Sequence, residues 1–210
     1  MDEILETKEQ VIKAAIDLFS VKGFNGTSIR AIANAMGMSI SNIYHYFVNK
    51  EGLMLAILEQ SSKRLLETLR QVSEKEMDPL DRLKLLVESH VRLSEVFRKE
   101  SKIFFIDEDH LSPEGNDRNR QNQREILNIY LKELQTLRSL GYLHARNLPV
   151  LAFNILGVIN WQLKWYRPEG SLSMDEVSRE IVSFVMNGLL GPFPLTETSY
   201  FTNAQMPEKK

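Results

Sequence analysis

The sequence predicts an all-α protein of two domains, and three observations support that fold class. Apolar residues recur every three or four positions, which is the spacing of one face of a helix. No stretch shows the sustained apolar–polar alternation of a half-buried strand. The 7 prolines and 10 glycines among the 210 residues stand mostly where such helices should end. A content of 43% hydrophobic and 26% charged residues is typical of globular chains and excludes a wholly disordered or collagenous one.

The first fifty residues are predicted to form three helices. A capping box that starts at Thr7 opens the first, Thr27 caps the second, and a serine begins the third. Glycines that allow a left-handed turn end the first two. The predicted bounds are residues 7–23, residues 27–37, and residues 39 or 41 to 47.

The rest of the chain is predicted to form a second, longer set of helices. A cap followed by proline at the first helical position is a strong start signal, and Asp78 and Pro79 provide one. A polar, turn-rich break is expected at 107–119. Five helices are predicted here: one that begins at Asn49, one from Asp78 towards Phe97, one that ends at Leu140, one from Pro149 to before Pro168, and one from Ser173 to about Gly188. We therefore expect one domain at 1–50, a second at 51–191, and a loose tail at 192–210.

Composition excludes several functional classes. The absence of cysteine excludes disulfides, zinc fingers, iron–sulfur clusters and thiol nucleophiles. The longest nearly apolar run, 148–163, contains a proline and three amide side chains and is shorter than the roughly 18 residues of a membrane span. The N-terminus is acidic rather than basic, unlike a signal peptide. We expect a cytoplasmic protein.

The most informative segment is 27–47. Two short helices meet there at a turn that contains Gly37, which is the helix-turn-helix arrangement. The exposed face of the second of these helices should carry short polar groups and flat rings. Its members, which we call the recognition face, are Ile40, Ser41, Asn42, His45 and Tyr46. Because residues 18–50 contain no Asp or Glu but three basic residues, this surface is suited to a polyanion such as DNA.

With these residues the sequence resembles the tetracycline-repressor (TetR) family of bacterial transcriptional regulators. The resemblance covers about the first 55 residues. It rests on Phe19, Gly23-Phe24, Thr27-Ser28, Ile32-Ala33, Gly37, Tyr44 to Phe47, Asn49 to Glu51, and Leu53. Two positions depart from the family pattern: Ile40 is often polar or basic in the family, and Gly52 is more usually charged.

The resemblance implies a set of DNA contacts. Ser28 and Arg30 should touch the phosphate backbone, and Arg30 could also reach a base. The residues expected to enter the major groove are Ser39, Ile40, Ser41 and Asn42, with His45 beside them. Those expected to hold phosphates are Tyr44, Tyr46 and Lys50. Core packing is the alternative for Tyr44, and a solvated surface charge is the alternative for Lys50.

The family plan also implies an effector pocket between helices four and eight and a homodimer through the last two helices. Small residues at Ala152, Gly157 and Gly188 could let the paired helices approach closely. The large apolar residues expected in the dimer seam are Ile155, Val158, Ile159, Ile181, Phe184 and Val185.

Residues 160–170 resemble the corresponding region of a TetR subgroup that responds to fatty-acyl or other acyl-CoA thioesters. Such a ligand needs an apolar slot for its chain and cations for its phosphates. The residues expected to supply them are Phe104, Phe105, Phe153, Asn160, Trp161, Arg138, Arg146 and Lys164. The alternative for Trp161 and Trp165 is packing in the core or the dimer seam.

The predicted function is therefore a repressor released from a palindromic operator by a small effector, an acyl-CoA. One alternative is a repressor of a multidrug efflux gene that senses a planar cationic or hydrophobic drug. A remote alternative is a helical lipid carrier or enzyme, although no nucleophile elbow, phosphate loop or carboxylate pair suggests catalysis. No cofactor or metal is expected, because the four histidines form no ligand-spaced pair.

Overall fold

A computed structural model describes residues 2–107, 111–143 and 147–191 and confirms the all-α prediction, with nine helices and no strand in those ranges. The predicted tail at 192–210 lies outside the described residues. The helices are α1 (Asp2–Lys22), α2 (Ile29–Ala35), α3 (Ile40–Tyr46), α4 (Lys50–Ser73), α5 (Pro79–Val96), α6 (Arg98–Asp107), α7 (Pro113–Ser139), α8 (Leu148–Trp165) and α9 (Met174–Leu190).

Most helices begin where a side chain satisfies the free N–H groups of the first turn, as the sequence predicted. Asn49 accepts a hydrogen bond from the Gly52 N–H at 2.7 Å and so begins α4. Asp78 does the same for α5, with Pro79 in the first turn. Ser173 and Glu176 form the expected reciprocal capping box of α9.

Two predicted starts in the N-terminal region are wrong. The first helix begins at Asp2, upstream of the Thr7 box. The cap of α2 is Ser28, which accepts from the Ala31 N–H at 3.1 Å. Thr27 is buried, and its hydroxyl donates to the Gly23 carbonyl at 2.9 Å instead.

The predicted polar break at 107–119 is wrong in its second half, because α7 begins at Pro113 after the cap Ser112. Gly115 suggested a turn but lies in the first turn of this helix, where a Cβ would come within 2.7 Å of Glu51 Oε1. Glu51, at the start of α4, accepts a hydrogen bond from the Ser112 N–H at 2.6 Å. This glycine therefore marks a close approach between two helices rather than a turn.

The buried side chains form two clusters that share α4. The first cluster joins α1, α2 and α3 to the early part of α4, with Leu53 and Ile57 fully buried. The second joins the later part of α4 to α5, α7, α8 and α9. Ile103 of α6 and Leu111, just before α7, belong to the first cluster. The N-terminal helices are thus packed on the C-terminal set through three segments, α4, α6 and the start of α7.

Inside the second set, a buried ion pair holds α5 to α7. Arg82 Nε donates to Glu133 Oε2 at 2.8 Å, and the Glu133 carboxylate is almost inaccessible to water. Breaking such a pair by removing one partner leaves a buried charge and typically costs about 3–5 kcal/mol.

None of the helices in the described ranges combines the length and hydrophobicity that a membrane crossing requires.

Candidate nucleic-acid interface and ligand cavity

The turn between α2 and α3 fixes the relative orientation of these two short helices. Gly37 has φ of +65°, in the left-handed region that other residues rarely adopt. The Met38 N–H donates to the Ala33 carbonyl at 2.9 Å and closes the turn. Ala33 and Ile43 are fully buried beneath the pair. The helix-turn-helix is therefore a rigid unit, and its outward side chains have defined positions.

The predicted DNA-contacting side chains lie at the surface. Ile40 is 40% exposed and Tyr44 is 50% exposed, whereas Tyr46 is partly buried with its ring edge-on to His45 at 5.2 Å. The remaining exposed members are Ser28, Arg30, Ser39, Ser41, Asn42 and His45. No acidic residue lies in α2 or α3. The surface therefore offers donors and apolar contacts to an anionic partner without a repelling charge.

Two of the predicted serines have a second role. The hydroxyl oxygens of Ser28 and Ser39 accept the N–H groups of Ala31 and Asn42, at 3.1 and 3.2 Å, and so cap α2 and α3. A hydroxyl that accepts through its oxygen keeps its proton for donation. Each serine is therefore held in place with an O–H available to a phosphate at a helix N-terminus.

Lys50 is held inside the protein more firmly than the sequence suggested. Its Nζ donates to the Phe24 carbonyl at 2.8 Å and to the Thr27 carbonyl at 3.1 Å. It also lies 4.1 Å from the centre of the Phe24 ring. An ammonium group has three N–H donors, so one remains for a partner outside the chain. Lys50 thus ties the loop before α2 to the start of α4.

A cavity of about 470 Å³ lies between α4, α5, α6, α7 and α8, where the resemblance implied a pocket. Its volume falls in the range of small-molecule sites. The largest part of its lining is apolar and includes Leu65, Leu93, Phe97, Leu127, Phe153 and Leu156. The polar groups include Ser94, His90, Arg120, Gln123, Arg124 and Asn160.

The charge of this cavity comes from two arginines. Arg120 and Arg124 are one helical turn apart on α7, and both are solvent-exposed. Arg120 lies 3.9 Å from Asp117, an exposed neighbour that does not line the cavity. No Asp or Glu is among the described lining residues. The lining therefore combines an apolar wall with positive charge, which matches an amphipathic anion.

Two buried polar rings meet beside the cavity. The Nδ1 atom of His90, on α5, lies 3.0 Å from the hydroxyl of Tyr130, on α7. Burial lowers the pKa of His90 to about 4, so its ring is neutral near pH 7. Burial also raises the pKa of the Tyr130 hydroxyl, which therefore keeps its proton. His90 lines the cavity, whereas Tyr130 lies behind it.

Only some of the predicted ligand-binding residues lie at the cavity. Phe153 and Asn160 line the cavity, but Trp161, Lys164 and Arg138 do not. On α8 the cavity-lining positions follow helical spacing from Phe153 to Asn160. Trp161 lies one turn after Gly157 but is 65% exposed and is not among the lining residues. Lys164 lies about one turn beyond Asn160, and Arg138 lies about 20 Å along α7 from Arg124 at 1.5 Å per residue. The side chains of Phe104 and Phe105, and all of Arg146, lie outside the described residues.

The sequence interpretation missed Arg120, Arg124 and His90. The four-residue spacing of the two arginines was visible, but the polar composition of the preceding segment suggested a break rather than a helix start. The sequence gives no signal that His90 is buried beside a cavity. Among the described residues, no group of three or more candidate ligands could hold a metal ion.

The outer faces of α8 and α9 are apolar and uncovered. Trp161 is 65% exposed and Phe184 is 66% exposed, with Trp165 at 46%. A Cβ at Gly188 would meet no atom within 4 Å, and the same holds for Gly157, which also lines the cavity. Large exposed apolar side chains beside open small-residue positions are typical of a surface that another chain covers.

Five of the residues predicted in the dimer seam are buried within this chain, so the prediction is wrong for them. Helical periodicity identifies an apolar face but not the neighbour that covers it. The residues in question pack in the second cluster, and they are Ala152, Ile155, Ile159, Ile181 and Val185, with Val158 partly buried against it.

Comparisons with known proteins agree over most of the chain. Residues 76–189 match the family described as Tetracyclin repressor-like, C-terminal domain, and residues 11–57 match Bacterial regulatory proteins, tetR family. The HTH-type transcriptional repressor KstR2 of Rhodococcus jostii is 29% identical over 198 residues, which covers 88% of this chain and 92% of that protein.

Solved structures of similar proteins share the fold. A TetR/AcrR family transcriptional regulator from Thermobifida fusca is 31% identical, with a TM-score of 0.72, over 87% of this chain and 98% of that one. AibR in complex with isovaleryl coenzyme A and operator DNA is 24% identical, with a TM-score of 0.77, over 89% of this chain and 99% of that one.

Proposed function

The chain belongs to the tetR family of bacterial regulatory proteins, and on that premise we propose that it is a homodimeric cytoplasmic repressor released from DNA by an acyl-CoA thioester. One observation carries the effector class. The cavity between α4 and α8 combines an apolar wall with Arg120 and Arg124, and none of its described lining residues is acidic.

On DNA, α3 would lie in the major groove with Ile40, Ser41 and Asn42 against base edges. An asparagine side chain pairs well with adenine, and an isoleucine suits the methyl group of thymine. The surrounding groups would hold phosphates and fix the register, and they are Ser28, Arg30, Ser39, Tyr44, His45, Tyr46 and Lys50. The domain that does this would end near residue 50.

A homodimer would form through the outer faces of α8 and α9, where Trp161 and Phe184 are exposed. Two-fold symmetry would present two α3 helices to one face of the duplex. Half-sites about 34–36 Å apart, one turn of DNA, would then be occupied together, which requires a palindromic operator.

An acyl-CoA fits the chemistry of the cavity. Its acyl chain would lie along the apolar wall beside Phe153, and its phosphates would meet Arg120 and Arg124 at the exposed edge. AibR has the same fold and holds isovaleryl coenzyme A, which supports a thioester as a ligand that this fold accommodates. A planar cationic drug, the efflux alternative, would meet like charge from the two arginines.

Release would follow from the packing between the two sets of helices. The cavity is lined by Ser61 and Ser62 of α4, Ser101 of α6 and the two arginines of α7. The helices α4 and α6 contact the N-terminal helices through Ile57 and Ile103, and the bond from the Ser112 N–H to Glu51 joins the start of α7 to the start of α4. A ligand that changes the spacing of α4, α6 and α7 would therefore change the separation of the two α3 helices. A differential affinity of a few kcal/mol is enough to empty the operator.

The test is a competition on DNA. A duplex is first selected by the purified protein from a random library, and its release is followed by fluorescence anisotropy. Acyl-CoAs, free fatty acids and cationic dyes are titrated in turn. We expect thioesters to release the duplex at micromolar levels. Release by dyes and by no thioester would replace this proposal with the efflux alternative.

Arginine substitutions test where the phosphates of the thioester bind. Arg124→Ala should raise the thioester concentration needed for release about tenfold, because one charge-assisted hydrogen bond to phosphate is lost. Arg138→Ala is the matched control, since it removes the same charge from the same helix outside the cavity. Equal effects of the two substitutions would mean that the cavity does not hold the phosphates.

A further inference from the structure

His90 is a buried polar group that neither the DNA surface nor the phosphate contacts use. It is 3% exposed, it lines the cavity, and it lies near apolar lining residues such as Leu93 and Leu127. A neutral imidazole has one donor nitrogen and one acceptor nitrogen. The partner of Nδ1 therefore determines what Nε2 offers to a ligand.

Tyr130 determines which ring nitrogen of His90 carries the proton. Its hydroxyl lies 3.0 Å from His90 Nδ1 and donates to the Leu86 carbonyl at 3.4 Å. A phenol has one proton, so both hydrogen bonds form together only when Nδ1–H donates to the phenol oxygen. The proton of the ring is then on Nδ1. Nε2 remains an acceptor, and Tyr130 does not reach the cavity to compete for it.

Ser94 completes the site. It follows His90 by one helical turn on α5, is 7% exposed, and also lines the cavity. No hydrogen bond joins its hydroxyl to another residue in the part of the chain that the structure describes. The pair therefore presents one acceptor, His90 Nε2, and one hydroxyl that donates or accepts.

We propose that His90 and Ser94 form a specificity site for a hydroxyl group on the apolar part of the effector, which makes the preferred ligand a hydroxylated acyl thioester. The ligand O–H donates to His90 Nε2, and its oxygen accepts from Ser94. A carbonyl can accept from Ser94 but has no proton to donate, so it leaves His90 Nε2 without a partner. The Nε2 atom could donate to it only if the ring proton moved from Nδ1, in which case the Tyr130 hydroxyl would donate to Nδ1 and lose its bond to the Leu86 carbonyl. A plain methylene leaves both protein groups without a partner. This inference rests on the proposed acyl-CoA function for the rest of the ligand.

Direct binding measurements distinguish a ligand hydroxyl from a carbonyl or a plain methylene. The probes are decanoyl-CoA, 3-hydroxydecanoyl-CoA, 10-hydroxydecanoyl-CoA and 3-oxodecanoyl-CoA, together with the four free acids, measured by calorimetry on the full-length protein. At least one hydroxylated probe should bind about tenfold more tightly than its plain and oxo counterparts, the effect of one well-placed hydrogen bond.

Three substitutions test which side chains cause the preference for a hydroxylated ligand. His90→Phe and Ser94→Ala should each bring the hydroxy-to-plain affinity ratio close to one, because the groups that distinguish a hydroxyl from a methylene are then absent. Tyr130→Phe frees the ring proton, so the hydroxy-to-oxo ratio should fall while the hydroxy-to-plain ratio persists. A merely structural role for Tyr130 would weaken every probe equally. If His90→Phe does not fold, Ser94→Ala and Tyr130→Phe still decide the matter.

Failure of this inference is distinguishable from failure of the proposed function. If wild-type protein binds the plain thioester as tightly as every hydroxylated one, the hydroxyl site is wrong and the acyl-CoA proposal stands. If only the free acids bind and the hydroxylated ones are preferred, the thioester is wrong and the hydroxyl site stands. If no probe binds, both are wrong.

Discussion

Replacing Lys50 with methionine should destabilise the N-terminal helices by about 2 kcal/mol. The substitution removes two hydrogen bonds, to the Phe24 and Thr27 carbonyls, and the contact with the Phe24 ring. Hydrogen bonds to a charged group contribute roughly 1.5–3 kcal/mol each when they are well formed, and an exposed cation–π contact adds about 0.5–1 kcal/mol. Lys50 is partly exposed, so hydrogen bonds to water compensate for much of the free energy of these contacts. Methionine also retains the apolar part of the side chain, so little packing is lost.

The assay is thermal unfolding followed by circular dichroism. A change of 1 kcal/mol shifts the midpoint of a chain of this size by about 2–4 °C, so we expect a fall of roughly 4–8 °C. Lys22→Met is the matched control, because it removes one charge from an exposed position at the end of α1. Equal midpoints for the two variants would refute the reasoning, since the bonds to the two carbonyls would then contribute nothing.

The same variant tests the phosphate contact independently. If the third donor of Lys50 reaches a phosphate, Lys50→Met should reduce the slope of log affinity against log salt by about 1.8, because the homodimer loses one contact from each subunit and each contributes about 0.9. The measurement is made at a temperature where both variants are folded. A lower midpoint with an unchanged salt slope would assign Lys50 to internal support alone.

Three further predictions concern other regions. Asn42→Ala should relax base preference at one operator position by about 1–3 kcal/mol, measured on duplexes that differ at single base pairs, while affinity for unrelated DNA stays the same. Phe184→Glu should split the dimer and weaken operator binding, because an unpaired charge in the seam costs several kcal/mol; a protein that stays dimeric by light scattering would show that the seam lies elsewhere. His90 should make stability fall as the pH drops from about 6.5 towards 4, because the unfolded chain binds a proton there that the folded chain does not. The loss should reach about 3 kcal/mol, and His90→Phe should lack that part of the urea-denaturation profile.

Local side-chain chemistry explains why much of the fold was predictable. Asn49, Asp78 and Ser173 begin helices by bonding backbone N–H groups within three residues, so the information lies entirely in neighbouring letters of the sequence. The same holds for Gly37 in the helix-turn-helix. The start of α7 carries the same local signal, since Ser112 accepts from the Gly115 N–H at 3.2 Å and Pro113 lies in the first turn. It was missed because Gly115 suggested a turn, whereas its small size is explained by Glu51, which is distant in sequence.

The cavity was harder to predict because it depends on five helices at once. Helical spacing indicates that Phe153 and Asn160 share a face, and it indicates equally well that Trp161 and Trp165 share another. Which face meets the cavity is decided by the packing of α8 on α5 and α7. Arg120 and Arg124 lie beyond the predicted break, but that their side of α7 meets the cavity is decided by the packing of α7 on α4 and α8.

The exposed position of both tryptophans has a spectroscopic consequence. The chain has two tryptophans, and both lie on the solvent side of α8. Emission excited at the red edge of the absorption band therefore originates from one surface of the molecule. A subunit that covers this surface would shift the emission to shorter wavelength and protect it from a dissolved quencher such as iodide. Dilution of the unlabelled protein should reverse both changes, so the fluorescence spectrum reports the monomer–dimer equilibrium without an added dye.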